Sequence, residues 1–129
     1  MKGFVLNIEE ATLENSFYRK VLYTAKNSQL VLMALQPGDE IGEEVHELDQ
    51  FIRIEQGKGV VMIDEHRYEI ADDFAILIPQ GARHNVINTG DTVLKLYSVY
   101  APAEHKDGTI HKTKSEEREE HFDGITSEV

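Results

Sequence analysis

The nine residues 42–50, GEEVHELDQ, hold four carboxylates, an imidazole and an amide, and run directly into the apolar pair Phe51-Ile52. Carboxylate oxygen, imidazole nitrogen and amide oxygen are donors that divalent first-row metals accept without sulfur, and the chain has no cysteine. In a strand, residues two apart project from one face. Glu44 and His46 therefore share a face, Val45 takes the other, and Gln50 has the parity of the first two. A kink near Leu48-Asp49 that pairs the chain back would let the three side chains converge. A second imidazole is available from His84, which follows the turn Pro79-Gln80-Gly81 and heads the segment HNVIN. Two imidazoles, one carboxylate and one amide oxygen suit Fe(II), Mn(II), Ni(II) or Zn(II), with room left for water or substrate. Taken alone, Glu43-Glu44 is an ordinary acidic surface turn, and Gln50 can equally bond the protein wall or orient His46 from behind.

The elements that must position these residues are short strands. Stretches rich in β-branched and aromatic residues recur at 19–25, 29–35, 50–55, 59–64, 68–70, 74–78, 85–88 and 93–100, the rhythm of an all-β sandwich or barrel. Turn residues separate them, as in Lys26-Asn27-Ser28, Pro37-Gly38-Asp39, Asp64-Glu65-His66 and Thr89-Gly90-Asp91. FAILIP is nearly continuous in apolar residues, which fits a strand buried on both faces or entering a barrel. The 129 residues suffice for one core. We expect a domain over 1–102, with residues 4–8 as an apolar edge strand, and a polar, acidic tail over 103–129 that is loosely tied, partly helical or disordered.

With strands and turns in place, two segments resemble the paired motifs of the cupin superfamily. The first motif runs glycine, five residues, His-x-His, three or four residues, Glu, six residues, glycine. Here Gly38, Glu44-Val45-His46, Gln50 and Gly57 keep that spacing. The second runs glycine, five residues, Pro-x-Gly, two residues, His, three residues, Asn. Asp73, Pro79-Gln80-Gly81, His84 and Asn88 match it, with Asp73 at the first glycine. The resemblance implies an all-β, single-domain cupin, a jelly-roll β-barrel with a divalent metal held by Glu44, His46, Gln50 and His84. Glu44 replaces the usual first histidine and Gln50 the usual glutamate, so the carboxylate moves within the set while the ligand charge stays at −1. Glutamine at that place is similar to that of small cupins acting on unsaturated uronates. The segment 100–114 resembles the ending of a group of small bacterial cupins.

Other residues offer weaker handles. Arg83, just before His84, is a candidate for a bidentate contact to an anionic substrate, whereas Arg53 has the wrong parity and is expected to face out or pair with Glu55. Tyr97 is a candidate substrate-binding hydroxyl, although Tyr68, Tyr97 and Tyr100 equally suit packing in a sheet. His66 is expected in solvent, His105 and His111 in an exposed tail, with their segment folded over a barrel mouth or a partner subunit as the alternative, and His121 has no functional context. The net charge of −11 excludes a polyphosphate partner. Nucleophile-elbow and phosphate-loop patterns are absent. The N-terminal run Phe4-Val5-Leu6 is too short for a signal or membrane segment. We expect a cytoplasmic homodimer with a small-molecule ligand and no nucleic-acid or membrane partner. The expected function is a metal-dependent isomerase, cyclase or dioxygenase on a small oxygenated molecule, the alternative a non-catalytic binding or sensor cupin.

Overall fold

A computed structural model describes residues 1–128. After a short helix α1 (Ile8–Glu14), ten strands follow: β1 (Arg19–Thr24), β2 (Gln29–Leu35), β3 (Glu44–Val45), β4 (Asp49–Gln56), β5 (Gly59–Ile63), β6 (His66–Ile70), β7 (Ala75–Ile78), β8 (Arg83–Ile87), β9 (Leu94–Ala101) and β10 (Ile110–His111). They form a six-stranded sheet in the order β10-β1-β2-β9-β4-β7 and a four-stranded sheet in the order β3-β8-β5-β6, with antiparallel pairing throughout. Eight strands fall where turn chemistry and β-branched runs place them.

The expected closed jelly-roll barrel is not what forms. Each sheet is open: the larger ends on β10 and β7, the smaller on β3 and β6, and no strand ladder joins the two among the described residues. The reason lies in the edges. β10 and β3 are two residues long and β7 four, so they offer few backbone groups to pair across the gap. Asp73, with φ of 71°, breaks the chain immediately before Phe74 and β7. The sheets meet instead through side chains, Val31, Met33, Leu35, Ile52, Ile54, Leu94 and Leu96 on one side and Val61, Ile70 and Val86 on the other.

FAILIP also differs from expectation. It is an edge strand with one wet face: Ile76 and Ile78 are buried while Phe74 and Leu77 are exposed. An edge position requires only one apolar row, so a continuous apolar run does not demand two-sided burial. Nor are residues 4–8 a strand. Phe4 stacks on Tyr23 with ring centroids 5.3 Å apart, and Asn7 caps α1 by accepting the Glu10 backbone N–H at 3.0 Å. The helix packs against β4 and β9, which accounts for buried Thr12. Among the described residues, no helix is long and apolar enough to cross a membrane.

Two backbone positions explain the spacing that carries the family resemblance. Gly57 has φ of 107°, and a Cβ there would lie 3.0 Å from the Leu94 Cα, so glycine is required between β4 and β5. Asp73 occupies the left-handed region that favours glycine and is among the few other types that adopt it readily. Its carboxylate accepts from Arg53 Nη2 at 3.0 Å, and Arg53 Nε lies 3.1 Å from Glu55. Arg53 thus faces away from the core, as its parity indicates.

Candidate metal centre

Strand β3 exists because the segment after Gly42 lies along β8, with Glu44 directly opposite His84. Two backbone ties hold the register: Gly81 N–H donates to the His46 carbonyl at 3.0 Å, and Gly42 N–H donates to Asn85 Oδ1 at 2.8 Å. Asp49 adds a third by accepting the Gln80 N–H at 2.9 Å. Stretches nearly forty residues apart thereby meet, and the donor atoms of Glu44, His46 and His84 all lie within 4.8 Å of one another. The rings of His46 and His84 are 5.1 Å apart.

The donors point the right way. His84 Nδ1 lies 3.0 Å from the Ala82 carbonyl oxygen; a carbonyl only accepts, so Nδ1 carries the proton and Nε2 presents its lone pair. That Nε2 is buried without a hydrogen-bond partner among the described residues, a costly state for a polar atom unless something else binds it. His46 is 9% exposed and sits between two carboxylates, with Nδ1 at 3.4 Å from Glu104 and Nε2 at 3.7 Å from Glu44. Burial pushes the His46 pKa down, but the pull of Glu44 and Glu104 outweighs it and the net shift is upward. For Glu44 burial acts upward, and attraction to His46, with Arg19 and His84, wins and holds the carboxyl below its usual range. A carboxylate and two imidazoles clustered so closely, one nitrogen orphaned, form a site fit for a divalent metal.

The cluster opens on a cavity of about 300 Å³, lined by Glu44, His46, Arg19, Glu104, His105 and residues of the C-terminal segment. A family model described as "Cupin domain" matches residues 31–100. The chain is a cupin. It is 48% identical over 122 residues to YrkC of Bacillus subtilis, an alignment covering 89% of this chain and 66% of YrkC. A crystal structure of BH2720 from Bacillus halodurans superposes with a TM-score of 0.87 at 47% identity, covering 89% of this chain and 92% of that one. A protein from Thermotoga maritima described as a predicted oxalate decarboxylase gives a TM-score of 0.57 at 26% identity, over 60% of this chain and 68% of that one.

The other residues singled out from sequence fall variously in this cupin. Gln50 is buried on β4, opposite Tyr100 in the register; its Nε2 donates to Ser98 Oγ at 3.3 Å, and its Oε1 has no partner among the described residues. Arg83 and Tyr97 are not brought to the cluster. Strand alternation turns Arg83 outward beside inward His84, where its Nε pairs with Glu43 at 2.8 Å. Tyr97 alternates with buried Leu96 and Ser98 and packs near Phe51, ring centroids 6.4 Å apart.

The tail departs most from expectation. His105 and His111 are buried, because Gln29 fastens the His105 backbone through both ends of its amide and β10 pairs with β1. Where the tail is expected to be partly helical or disordered, a short 3-10 turn, η1 (Lys114–Glu116), forms. Residues missed by motif reasoning enter from these outlying segments: Glu104 behind His46, and Arg19 and His105 in the cavity wall. All three lie outside residues 31–100. One signal was available for Arg19, whose charged side chain shares the parity of buried Val21 in β1.

Proposed function

We propose that this cupin is a divalent-metal-dependent enzyme acting on a small oxygenated molecule, sugar-like, keto-acid or phenolic, by isomerase, cyclase or dioxygenase chemistry. The observation that carries the reading is the buried, unpartnered Nε2 of His84, grouped with the donors of Glu44 and His46 beside a cavity of ligand size. In this reading Glu44, His46 and His84 hold Fe, Mn, Ni or Zn, and Gln50 adds its amide oxygen, supported by the orphaned Oε1. A bound ion would supply Lewis acidity toward a substrate oxygen. The chain's own groups set the geometry. Ala82 fixes the His84 ring, Glu104 orients His46 from behind, and Tyr100 packs T-shaped against His46 with ring centroids 6.0 Å apart.

Burial drives the Tyr100 phenol far above its usual range, so at neutral pH it remains a hydroxyl and acts by hydrogen bonding. His105, 3.4 Å from that hydroxyl, is pushed down to about 3 by burial and then by the Arg19 charge, and so stays neutral. The similar protein described as a predicted oxalate decarboxylase lends support, its named substrate being a small oxygenated acid. We also read the protein as a cytoplasmic homodimer without nucleic-acid or membrane partners. Exposed Tyr68, Phe74 and Leu77 near the open edges β6 and β7 support self-association. The absent cysteine and the −11 charge support the rest. A mass that stays monomeric at every concentration would count against the dimer.

The test is elemental analysis of untagged protein beside a Glu44→Ala/His46→Ala/His84→Ala variant. Stoichiometric metal in the parent and none in the variant is expected, and metal in both sinks the assignment. Turnover and oxygen uptake with uronates, keto acids and catechols then separate an enzyme from a binder. Silence across that panel with saturable ligand binding would favour the non-catalytic alternative.

A further inference from the structure

Arg19 is 2% exposed, yet it lines the cavity beside Glu44 and His46. Burying a guanidinium is costly unless its donors are used, and here they are used sparingly. Both hydrogen bonds run through Nη1, at 2.9 Å to Glu117 Oε2 and 3.2 Å to His111 Nδ1. The buried Nε has no partner among the described residues. A guanidinium offers five donors in a fork matched to the two oxygens of a carboxylate. Glu117 meets that fork with one oxygen, from a segment 98 positions away, and the same oxygen also accepts from the Tyr18 hydroxyl at 3.2 Å. The arrangement is a carboxylate receptor engaged by an imperfect internal carboxylate.

We propose that Arg19 receives the carboxylate of a small monocarboxylate bearing a further oxygen donor, and that Glu117 occupies the receptor until the ligand displaces it. The further oxygen rests on the metal reading of Glu44, His46 and His84; the receptor itself does not. Charge sets the class. Glu43, Glu44, Glu104, Glu119 and Glu120 also line the cavity, against Arg118, so a second negative charge on the ligand would meet mainly acids. Exchange of one carboxylate for another leaves the charge around Arg19 unchanged. A cavity of about 300 Å³ is at the small end of ligand sites, which fits a short-chain acid.

Isothermal titration calorimetry of pyruvate and its neutral amide, pyruvamide, tests this on the full chain as wild type, Glu117→Ala and Arg19→Met. Each is measured with and without Mn(II), and bound Mn(II) is counted separately. Removing the internal competitor for a charge-assisted bond should raise pyruvate affinity about tenfold in Glu117→Ala. Binding should be lost in Arg19→Met, pyruvamide should be indifferent to both changes, and malonate should bind the metal-free chain more weakly than pyruvate. Equal pyruvate affinity in wild type and Glu117→Ala overturns the proposal, as does equal affinity of Glu117→Ala for pyruvate and pyruvamide. Both results are read without Arg19→Met, so they stand if that variant does not fold. A purely structural Arg19–Glu117 pair would lower the melting temperature of Glu117→Ala and leave affinity unmoved. If Mn(II) is not retained but pyruvate still binds the metal-free Glu117→Ala chain more tightly, the metal reading fails and the receptor stands. Retained Mn(II) with no pyruvate binding in Glu117→Ala gives the reverse.

Discussion

Three strands change character along their own length. The inward row of β9 reads Leu94, Leu96, Ser98, Tyr100; that of β4 reads Ile54, Ile52, Gln50; and on β8 Val86 gives way to His84. The register aligns the changes, with Ile54 opposite Leu96 and Gln50 opposite Tyr100. One half of the interior is therefore hydrocarbon and the other is amide, hydroxyl and imidazole, separated by a step of two residues, about 7 Å. The apolar half contributes free energy by burial. The polar half holds buried atoms without partners among the described residues, Gln50 Oε1 and His84 Nε2, and gives up stability that a bound ligand would restore. One sheet geometry thus serves stability at one end and recognition at the other.

Substitutions at the two ends should separate these roles. The largest effect is expected at the apolar end. Ile54→Ala leaves a cavity at a fully buried position and should cost about 2–5 kcal/mol in urea unfolding, while the folded fraction keeps its metal stoichiometry. Glu104→Gln should do the opposite. It removes the charge behind His46 and should weaken metal binding about 10- to 100-fold in a chelator competition, with little change in the unfolding midpoint of the metal-free chain. If Glu104→Gln destabilises as much as Ile54→Ala, the division between the halves fails.

A smaller effect should appear with pH. His105 has its pKa depressed to about 3 in the fold, below the unfolded value of about 6.5. A depressed histidine stabilises above its unfolded pKa and loses that contribution as pH falls toward the folded one. Urea unfolding of the metal-free chain should therefore weaken between pH 7 and pH 5, His105 accounting for at most about 2 kcal/mol. In His105→Gln the pH dependence should shrink by that amount. The opposite contribution of His46, raised in the fold, is common to both chains and cancels.

This division also explains what was legible in the sequence. Strand positions follow from local rules, two-residue alternation and turn residues, whereas the meeting of Glu44 with His46 and His84 was legible through the spacing shared with the cupin motifs, which Gly57 and Asp73 keep. Barrel closure was not legible, because it depends on edge strands too short to leave a pattern. The cavity wall was hidden for another reason. Arg19, Glu104 and His105 come from chain segments that meet only through tertiary pairing, β10 on β1 and the amide of Gln29 on His105. An acidic, glycine-broken sequence there reads as a loose tail, since the groups that bury it lie far earlier, Gln29 by 76 residues from His105 and Arg19 by 92 from His111.

Arg83 provides the smallest and most discriminating change, because proximity in sequence and position in the fold disagree about it. Adjacent to His84, it has the chemistry of an anion clamp, but alternation along β8 sends the two side chains to opposite faces. Its pair with Glu43 is 2.8 Å long with side chains 68% and 63% exposed, so solvent screens it and the pair is worth about 0–1 kcal/mol. Arg83→Ala should therefore leave metal content and pyruvate affinity unchanged and move stability by no more than that. A tenfold loss of pyruvate affinity in this variant would give the outer face of β8 a part in recognition. Unchanged affinity here, together with a gain in Glu117→Ala, would assign anion recognition to the inward arginine contributed by β1.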